Sequence, residues 1–187
     1  TLRSDFEEIS STIRKINGVR KMAFTTNGYR LARHAKNFYD VGYRAVNVSI
    51  DSLDADIFFK TTGRNILDKV LARIFAAQEV GFESIKINAV LLKGFNDDSL
   101  DSFLEFVRLH NFSVRFIELM QTGENFNYFK ENHVSAEKIR DQLLDNHWIL
   151  QDRKEADGPA EIYEHKDYKG TIGLITPYKK GFCASCN

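Results

Sequence analysis

Apolar residues recur along this chain with two periods, and the two alternate. Leu31, Ala35, Phe38 and Val41 step at helical spacing, and Gly42 stops them. Val46, Val48 and Ile50 then alternate with Asn47, Ser49 and Asp51, which is the period of a strand. The same succession repeats on both sides. Phe6, Ile9, Ile13 and Ile16 predict a helix over 5–17, with Ser4 and Glu7 placed as a capping box and Asn17-Gly18 as its end. Lys21–Thr25 reads as a strand closed by the turn Thr26-Asn27-Gly28. After the central strand comes a loop rich in Asp and Thr, then a helix from about Asn65 to Val80, ended by Gly81.

Ser84–Leu91 is the third strand, followed by a turn-rich loop at Lys93–Asp98 and a helix from about Ser99 to Leu109. Ser113–Glu118 is the fourth strand, and Leu119-Met120 leaves it. The rhythm breaks after Gly123. Ser135–Leu144 reads as a helix. Trp148–Leu150, Glu161–Tyr163 and Thr171–Ile175 read as short strands, the last started by the turn Lys169-Gly170. Strand–helix alternation predicts an α/β fold with a parallel sheet covered by helices. Four strands cannot close a barrel, so the sheet is open or belongs to something larger.

The polar side of the strands is the informative one. Asn47, Ser49 and Asp51 share one face of their strand, as Lys86 and Asn88 do of theirs. In a βα barrel that face points inward, and its carboxyl end forms the ligand site. A single strand of this kind would equally suit a solvated edge. The recurrence in neighbouring strands favours a site.

Charge adds little: 26 Lys plus Arg balance 26 Asp plus Glu, which argues against nucleic acid or a membrane surface as partner. No apolar run approaches the length of a membrane span. Both cysteines fall in the last five residues, which is no secreted disulfide framework, so a reducing cytoplasmic setting is expected.

Candidate chemistry gathers at the strand ends: Thr25, Ser49, Lys86, Arg115 and Met120. A cation aimed into a partly closed sheet is costly unless an anion neutralises it. A phosphate or carboxylate ligand would do so, and Arg suits a bidentate grip. The plain alternative pairs Lys86 and Arg115 with Glu118 or Asp51. Met120 is core filling or a ligand contact. Cys183-x-x-Cys186 has the spacing of a metal-binding pair, although a redox pair, half a zinc site or two free thiols share it. His34, His110, His133, His147 and His165 lack ligand-like spacing, so further ligands would have to lie beyond Asn187.

Six motifs in order carry a family resemblance. They are Thr25-Thr26-Asn27-Gly28, Val46 to Asp54, Ile85-Lys86-Ile87-Asn88, Gly94-Phe95-Asn96-Asp97, Arg115 to Met120, and Phe182-Cys183-Ala184-Ser185-Cys186-Asn187. Together they resemble the MoaA family, the radical S-adenosylmethionine GTP 3′,8-cyclases of molybdenum cofactor biosynthesis. The resemblance spans the chain. It implies an incomplete (β/α) TIM-like barrel of the radical SAM type over 1–122, and the start of a C-terminal α+β extension over 123–187. It implies two 4Fe–4S clusters and S-adenosylmethionine in the parent protein. By motif, Ser49 and Met120 match S-adenosylmethionine positions, and Thr25, Lys86 and Arg115 match GTP positions. Cys183 and Cys186 match ligands of the second cluster. The implied product, 3′,8-cyclo-7,8-dihydro-GTP, passes to the cyclic pterin synthase MoaC, and a homodimer is implied.

The departures set expectations too. The CxxxCxxC motif of the radical-generating cluster and the Gly-Gly-Glu-Pro strand end are absent. Both ends therefore read as truncations, and this polypeptide alone is expected to be inactive. The competing readings are another radical SAM enzyme with an auxiliary cluster, a non-catalytic nucleotide- or zinc-binding βα module, and a scaffold with no ligand. The aromatic trio Phe126, Tyr128 and Phe129 could cover the pocket, pack in the core or make a subunit contact.

Overall fold

A computed structural model describes residues 5–152, 158–180 and 182. Its strands are β1 (Met22–Thr26), β2 (Tyr43–Ser49), β3 (Ser84–Leu91), β4 (Ser113–Glu118), β5 (Ile149–Leu150), β6 (Glu161–Glu164) and β7 (Thr171–Ile175). Its helices are α1 (Phe6–Arg14), α2 (Leu31–Val41), α3 (Ala55–Thr62), α4 (Leu67–Val80), α5 (Leu100–Leu109), α6 (Phe126–Asn132) and α7 (Glu137–Asp145). The strands form one sheet in the order β1-β2-β3-β4-β7-β6-β5. From β1 to β7 the pairing is parallel. β6 and β5 then extend the sheet antiparallel. The mixed α/β expectation holds, and residues after 123 join the same sheet through β7.

The elements form for the reasons their sequences suggest. Gly42 (φ 117°) and Gly81 (φ 103°) end α2 and α4 in the left-handed region, which costs a side chain dearly. Strand β3 alternates without a break: Ile85, Ile87, Ala89 and Leu91 are buried, and the residues between them are half-exposed. Val46, Val48, Val114, Phe116, Ile172 and Leu174 continue that apolar layer across the sheet with no exposure at all. α2 packs on α4 over it, and α5 packs on β4 and β7. Phe24 meets Phe38 edge-on at 4.9 Å and Tyr43 at 5.1 Å, which ties β1 to the helix layer.

Two segments depart from the sequence reading. The expected Asp- and Thr-rich loop after β2 is the helix α3. Asp54 caps it, Oδ1 accepting the Asp56 and Ile57 N–H groups, both at 2.9 Å. Ser52 Oγ accepts the Asp54 N–H at 3.0 Å, and Phe58 inserts into the core. The break after Gly123 contains a second short helix, α6, with no buried residue. Phe126 and Tyr128 are exposed, so core packing does not account for them. Phe129 alone of the trio is packed, against His133 and Tyr178. At the start, α1 follows Asp5, whose side chain makes no cap bond, and the expected cap Ser4 lies outside the described residues.

Gly170 marks the tightest backbone approach. A Cβ there would stand 2.2 Å from Phe112 O and 2.8 Å from His110 O, both main-chain atoms that cannot swing aside. The approach brings Gly170 N–H to Val107 O at 2.9 Å and Thr171 N–H to Phe112 O at 3.0 Å, which seats β7 beside β4. Gly170→Ala is therefore expected to cost about 2–3 kcal/mol or more, as overpacking against fixed backbone does. Urea denaturation of the variant checks this, by a lowered midpoint at unchanged slope.

Candidate functional site

Parallel register carries the candidate residues into two rows on one face. In the first row Thr25 aligns with Asn47, Asn47 with Lys86, Lys86 with Ser113, and Ser113 with Thr171. In the second, Ser49 aligns with Asn88, Asn88 with Arg115, and Arg115 with Gly173. Lys86 and Arg115 thus sit on adjacent strands two positions apart, a Cα separation of roughly 8 Å from strand spacing and rise. Met120 follows the end of β4 by two residues and is 54% exposed. Thr25 and Ser49 are exposed and Lys86 is half-exposed, so this face is open where the opposite one is packed.

Arg115 is the exception, at 9% exposure. The sheet makes room for it. A Cβ at Gly173 would come within 3.0 Å of Arg115 Cγ and 3.1 Å of Ile162 Cδ1. A glycine inside a strand pattern is the sequence sign of such a close approach, and Gly173 within β7 is that sign. Asn88 is the other residue of interest in this row. Its Oδ1 is buried with no hydrogen-bond partner among the described residues. A buried acceptor left alone costs free energy, so a donor from a ligand would be favoured there.

The loops beyond the strands are fixed by buried polar side chains. Asn96, 1% exposed, donates from Nδ2 to Asp51 O at 2.7 Å and to Val90 O at 2.9 Å. Its Oδ1 accepts the Leu92 N–H at 2.8 Å. Asp51 does not continue the open polar face of β2. Its Oδ1 accepts the Val90 N–H at 2.9 Å, prolonging the β2–β3 ladder with a side chain. Burial pushes the Asp51 carboxyl above its ordinary value of 3.8, against the pull of that N–H. Glu118, also buried, accepts the Ala136 N–H at 2.7 Å and Ser135 Oγ at 3.3 Å, which docks the start of α7 under the end of β4. The carboxylates of Asp51 and Glu118 both serve main-chain donors.

A cleft of about 510 Å³ adjoins the first row at Thr25 and is also lined by Thr26, Asn27, Tyr29, Arg30 and Arg64 among others. The guanidinium carbons of Arg64 and Arg73 each lie 5.2 Å from the Tyr29 ring centre. Among the described residues there is no group of three or more His, Cys, Asp or Glu able to hold a metal. Cys183 and Cys186 lie outside the described residues. No helix among those described is long and apolar enough to cross a membrane.

The family model described as the radical SAM superfamily matches residues 1–107 of this chain, more than half of it. The chain belongs to the radical SAM superfamily. Within it, a second model, Molybdenum Cofactor Synthesis C, matches residues 112–187. This radical SAM chain is 48% identical over 187 residues to a protein of Yersinia pestis named GTP 3′,8-cyclase, covering all of this chain and 57% of that relative. It is 48% identical to a GTP 3′,8-cyclase of Haemophilus influenzae strain PittEE and 47% to that of strain PittGG, covering 56% of each. The chain thus spans little more than half the length of these relatives. Both models and the relatives bear out the MoaA family expected from the motifs.

The Asp51 arrangement has a testable sign. A carboxyl whose folded pKa is raised is neutral in both states below 3.8, and its burial penalty grows as pH rises through the raised folded value. Asp51→Asn keeps an acceptor for Val90 N–H and removes the charge. Its melting temperature at pH 7 is expected to equal or exceed that of the unsubstituted chain, with the gap closing below about pH 4. Asp51→Ala orphans the Val90 N–H and is expected to cost about 1–3 kcal/mol. Thermal melts of both variants across pH 3–8 check the pair.

Proposed function

We propose that the two polar rows form the ligand face of a GTP 3′,8-cyclase. In this reading Lys86 and Arg115 hold the triphosphate of GTP, Thr25 completes its contacts, and Ser49 and Met120 face S-adenosylmethionine. The observation that carries the reading is the register. It brings two cations and the neighbouring hydroxyl and amide groups onto one polar face of the parallel sheet; Ser49 ends β2, whereas Lys86 and Arg115 sit inside β3 and β4 and not at the strand ends expected from the sequence. The sheet is then read as part of an incomplete TIM-like barrel over 1–122, with the C-terminal extension starting at 123.

Elementary electrostatics supports the division of labour. A triphosphate carries several negative charges and needs fixed donors, and Arg offers a planar fork where Lys offers a point charge. Arg115 is held rigidly by its burial beside Gly173, whereas half-exposed Lys86 can follow the ligand. Asn88 Oδ1, buried and without a partner among the described residues, suits a hydroxyl or amino donor of a nucleoside-bearing cofactor beside Ser49. When bound, S-adenosylmethionine and its cluster supply the radical chemistry. The protein groups described here bind and orient, and the closed apolar layer behind them keeps water from that side.

Cys183 and Cys186 are the residues read as ligands of a second 4Fe–4S cluster, and thiolates suit iron. They are the two cysteines of the chain, so a three-cysteine site for the radical-generating cluster is not among these 187 residues. S-adenosylmethionine cleavage by this polypeptide alone is accordingly not expected. In the whole protein, GTP is the substrate, the product goes to MoaC, and a cytoplasmic homodimer is the proposed setting.

Calorimetric titration of GTP into the chain tests the phosphate site. Lys86→Ala combined with Arg115→Ala is expected to weaken binding at least about tenfold, the loss of two charged contacts. Circular dichroism of the variant confirms its fold before the titration. Unchanged GTP affinity in a folded double variant would overturn the placement.

A further inference from the structure

The loop that carries Met120 is held at both of its faces, and one of the holds comes from far away in sequence. Met120 O accepts Asn125 Nδ2 at 3.1 Å, and Asn125 Oδ1 accepts the Thr122 N–H at 2.6 Å. Those bonds are local. The next residue, Gln121, donates its N–H to the hydroxyl of Tyr178 at 2.6 Å across 57 residues of chain. Below the loop, Glu118 anchors the end of β4 through the Ala136 N–H.

Tyr178 is itself positioned from two sides. Its ring lies 5.7 Å from Phe129 and meets His133 edge-on at 5.5 Å, and those two rings lie tilted against each other at 4.7 Å. His133 Nε2 in turn stands 3.8 Å from the buried Glu118 carboxylate. The segment bearing Tyr178 is clamped by its neighbour: Lys179 Nζ pairs with Glu161, whose other oxygen lies 3.2 Å from Arg140 Nη2. Burial raises the Glu161 carboxyl, yet Lys179 and Arg140 outweigh it and hold the group below its ordinary value. The clamp is therefore charged at neutral pH.

We propose that Tyr178 is a positioning residue for the cofactor side of the site. Its hydroxyl sets the Met120–Gln121 backbone in the conformation that S-adenosylmethionine meets. The inference rests on the reading of Met120 as an S-adenosylmethionine contact. Apart from Asn125 and Tyr178 the loop faces solvent: Met120 is 54% exposed and 121–124 are exposed. An exposed loop that must be ordered on binding weakens affinity, and ordering it beforehand recovers that loss. A phenol packed against α6 adds to the order that Asn125 supplies locally, and among the described residues it alone holds the Gln121 N–H. The preorganisation acts on the cofactor and leaves Lys86 and Arg115 untouched.

The test compares Tyr178→Phe with Met120→Ala in the full-length holoenzyme, titrating S-adenosylmethionine and GTP separately by calorimetry. Tyr178→Phe keeps the ring against Phe129 and His133 and removes only the acceptor. It is expected to weaken S-adenosylmethionine about five- to tenfold, the worth of one hydrogen bond, and to leave GTP within about twofold. Amide exchange at Gln121 is expected to speed up by a similar factor in the same variant. Unchanged cofactor affinity in Tyr178→Phe, where Met120→Ala does weaken it, overturns the positioning role while the Met120 reading stands. Unchanged affinity in Met120→Ala removes that reading, and the inference falls with it. Equal weakening of both ligands by Tyr178→Phe would mark a general structural role and also overturn it.

Discussion

Asn96 is the contact on which the site's geometry depends. Its amide gives both protons to carbonyls at the exits of β2 and β3 and accepts one amide proton from the loop that follows. At 1% exposure no water can take over any of these bonds, so all three must form together or leave buried groups unsatisfied. Asp51 repeats the device one step earlier by giving Val90 the acceptor that the ended β2 backbone no longer supplies. Glu118 does the same between β4 and α7. Strand exits are where a ladder runs out of partners. Here polar side chains replace the missing backbone, and the residues just upstream inherit fixed positions.

That arrangement explains how one sheet can be apolar on one side and polar on the other without losing its register. The helix-covered side carries the stabilising burial, from Val46 and Val48 through Ile87 and Phe116 to Leu174. A one-residue slip would turn these residues into solvent, which is strongly unfavourable. The opposite side is therefore free to hold Asn47, Ser49, Lys86 and Asn88, because its composition does not decide the pairing. The most buried charge on that side, Arg115, lies beside the strand position that has no side chain, Gly173.

Much of this was legible in the residues, and the reasons divide by range. Period-two alternation and glycine stops act within a few residues, so β3 and the ends of α2 and α4 emerged with correct bounds or nearly so. α3 was hidden because its cap, Asp54, reads equally well as a loop residue until its side chain is seen on two amides. α6 has no buried face and hence no periodic signal. The pairing of β7 with β4 is non-local, and its cue, Gly170, looks like any turn glycine. The lateral alignment of Thr25 with Lys86 through Asn47, and of Ser49 with Arg115 through Asn88, likewise needed the register. The strand patterns put each residue on a face but did not align the strands.

The same distinction between local and distant contacts bears on how the site could respond as a unit. Lys86, Asn88 and Arg115 belong to the sheet, whose positions are fixed by the core. Met120 belongs to an exposed loop, and its order comes from Asn125 and from Tyr178 in the segment that runs on in sequence to Cys183 and Cys186. A displacement of that segment would therefore be felt at Met120 through one hydrogen bond and two ring contacts, while Lys86 and Arg115 would not move. The rigid and adjustable parts of the face are thus built from different physics, packing for one and hydrogen bonds between loops for the other. An effect that alters one ligand without the other has a structural basis in that difference.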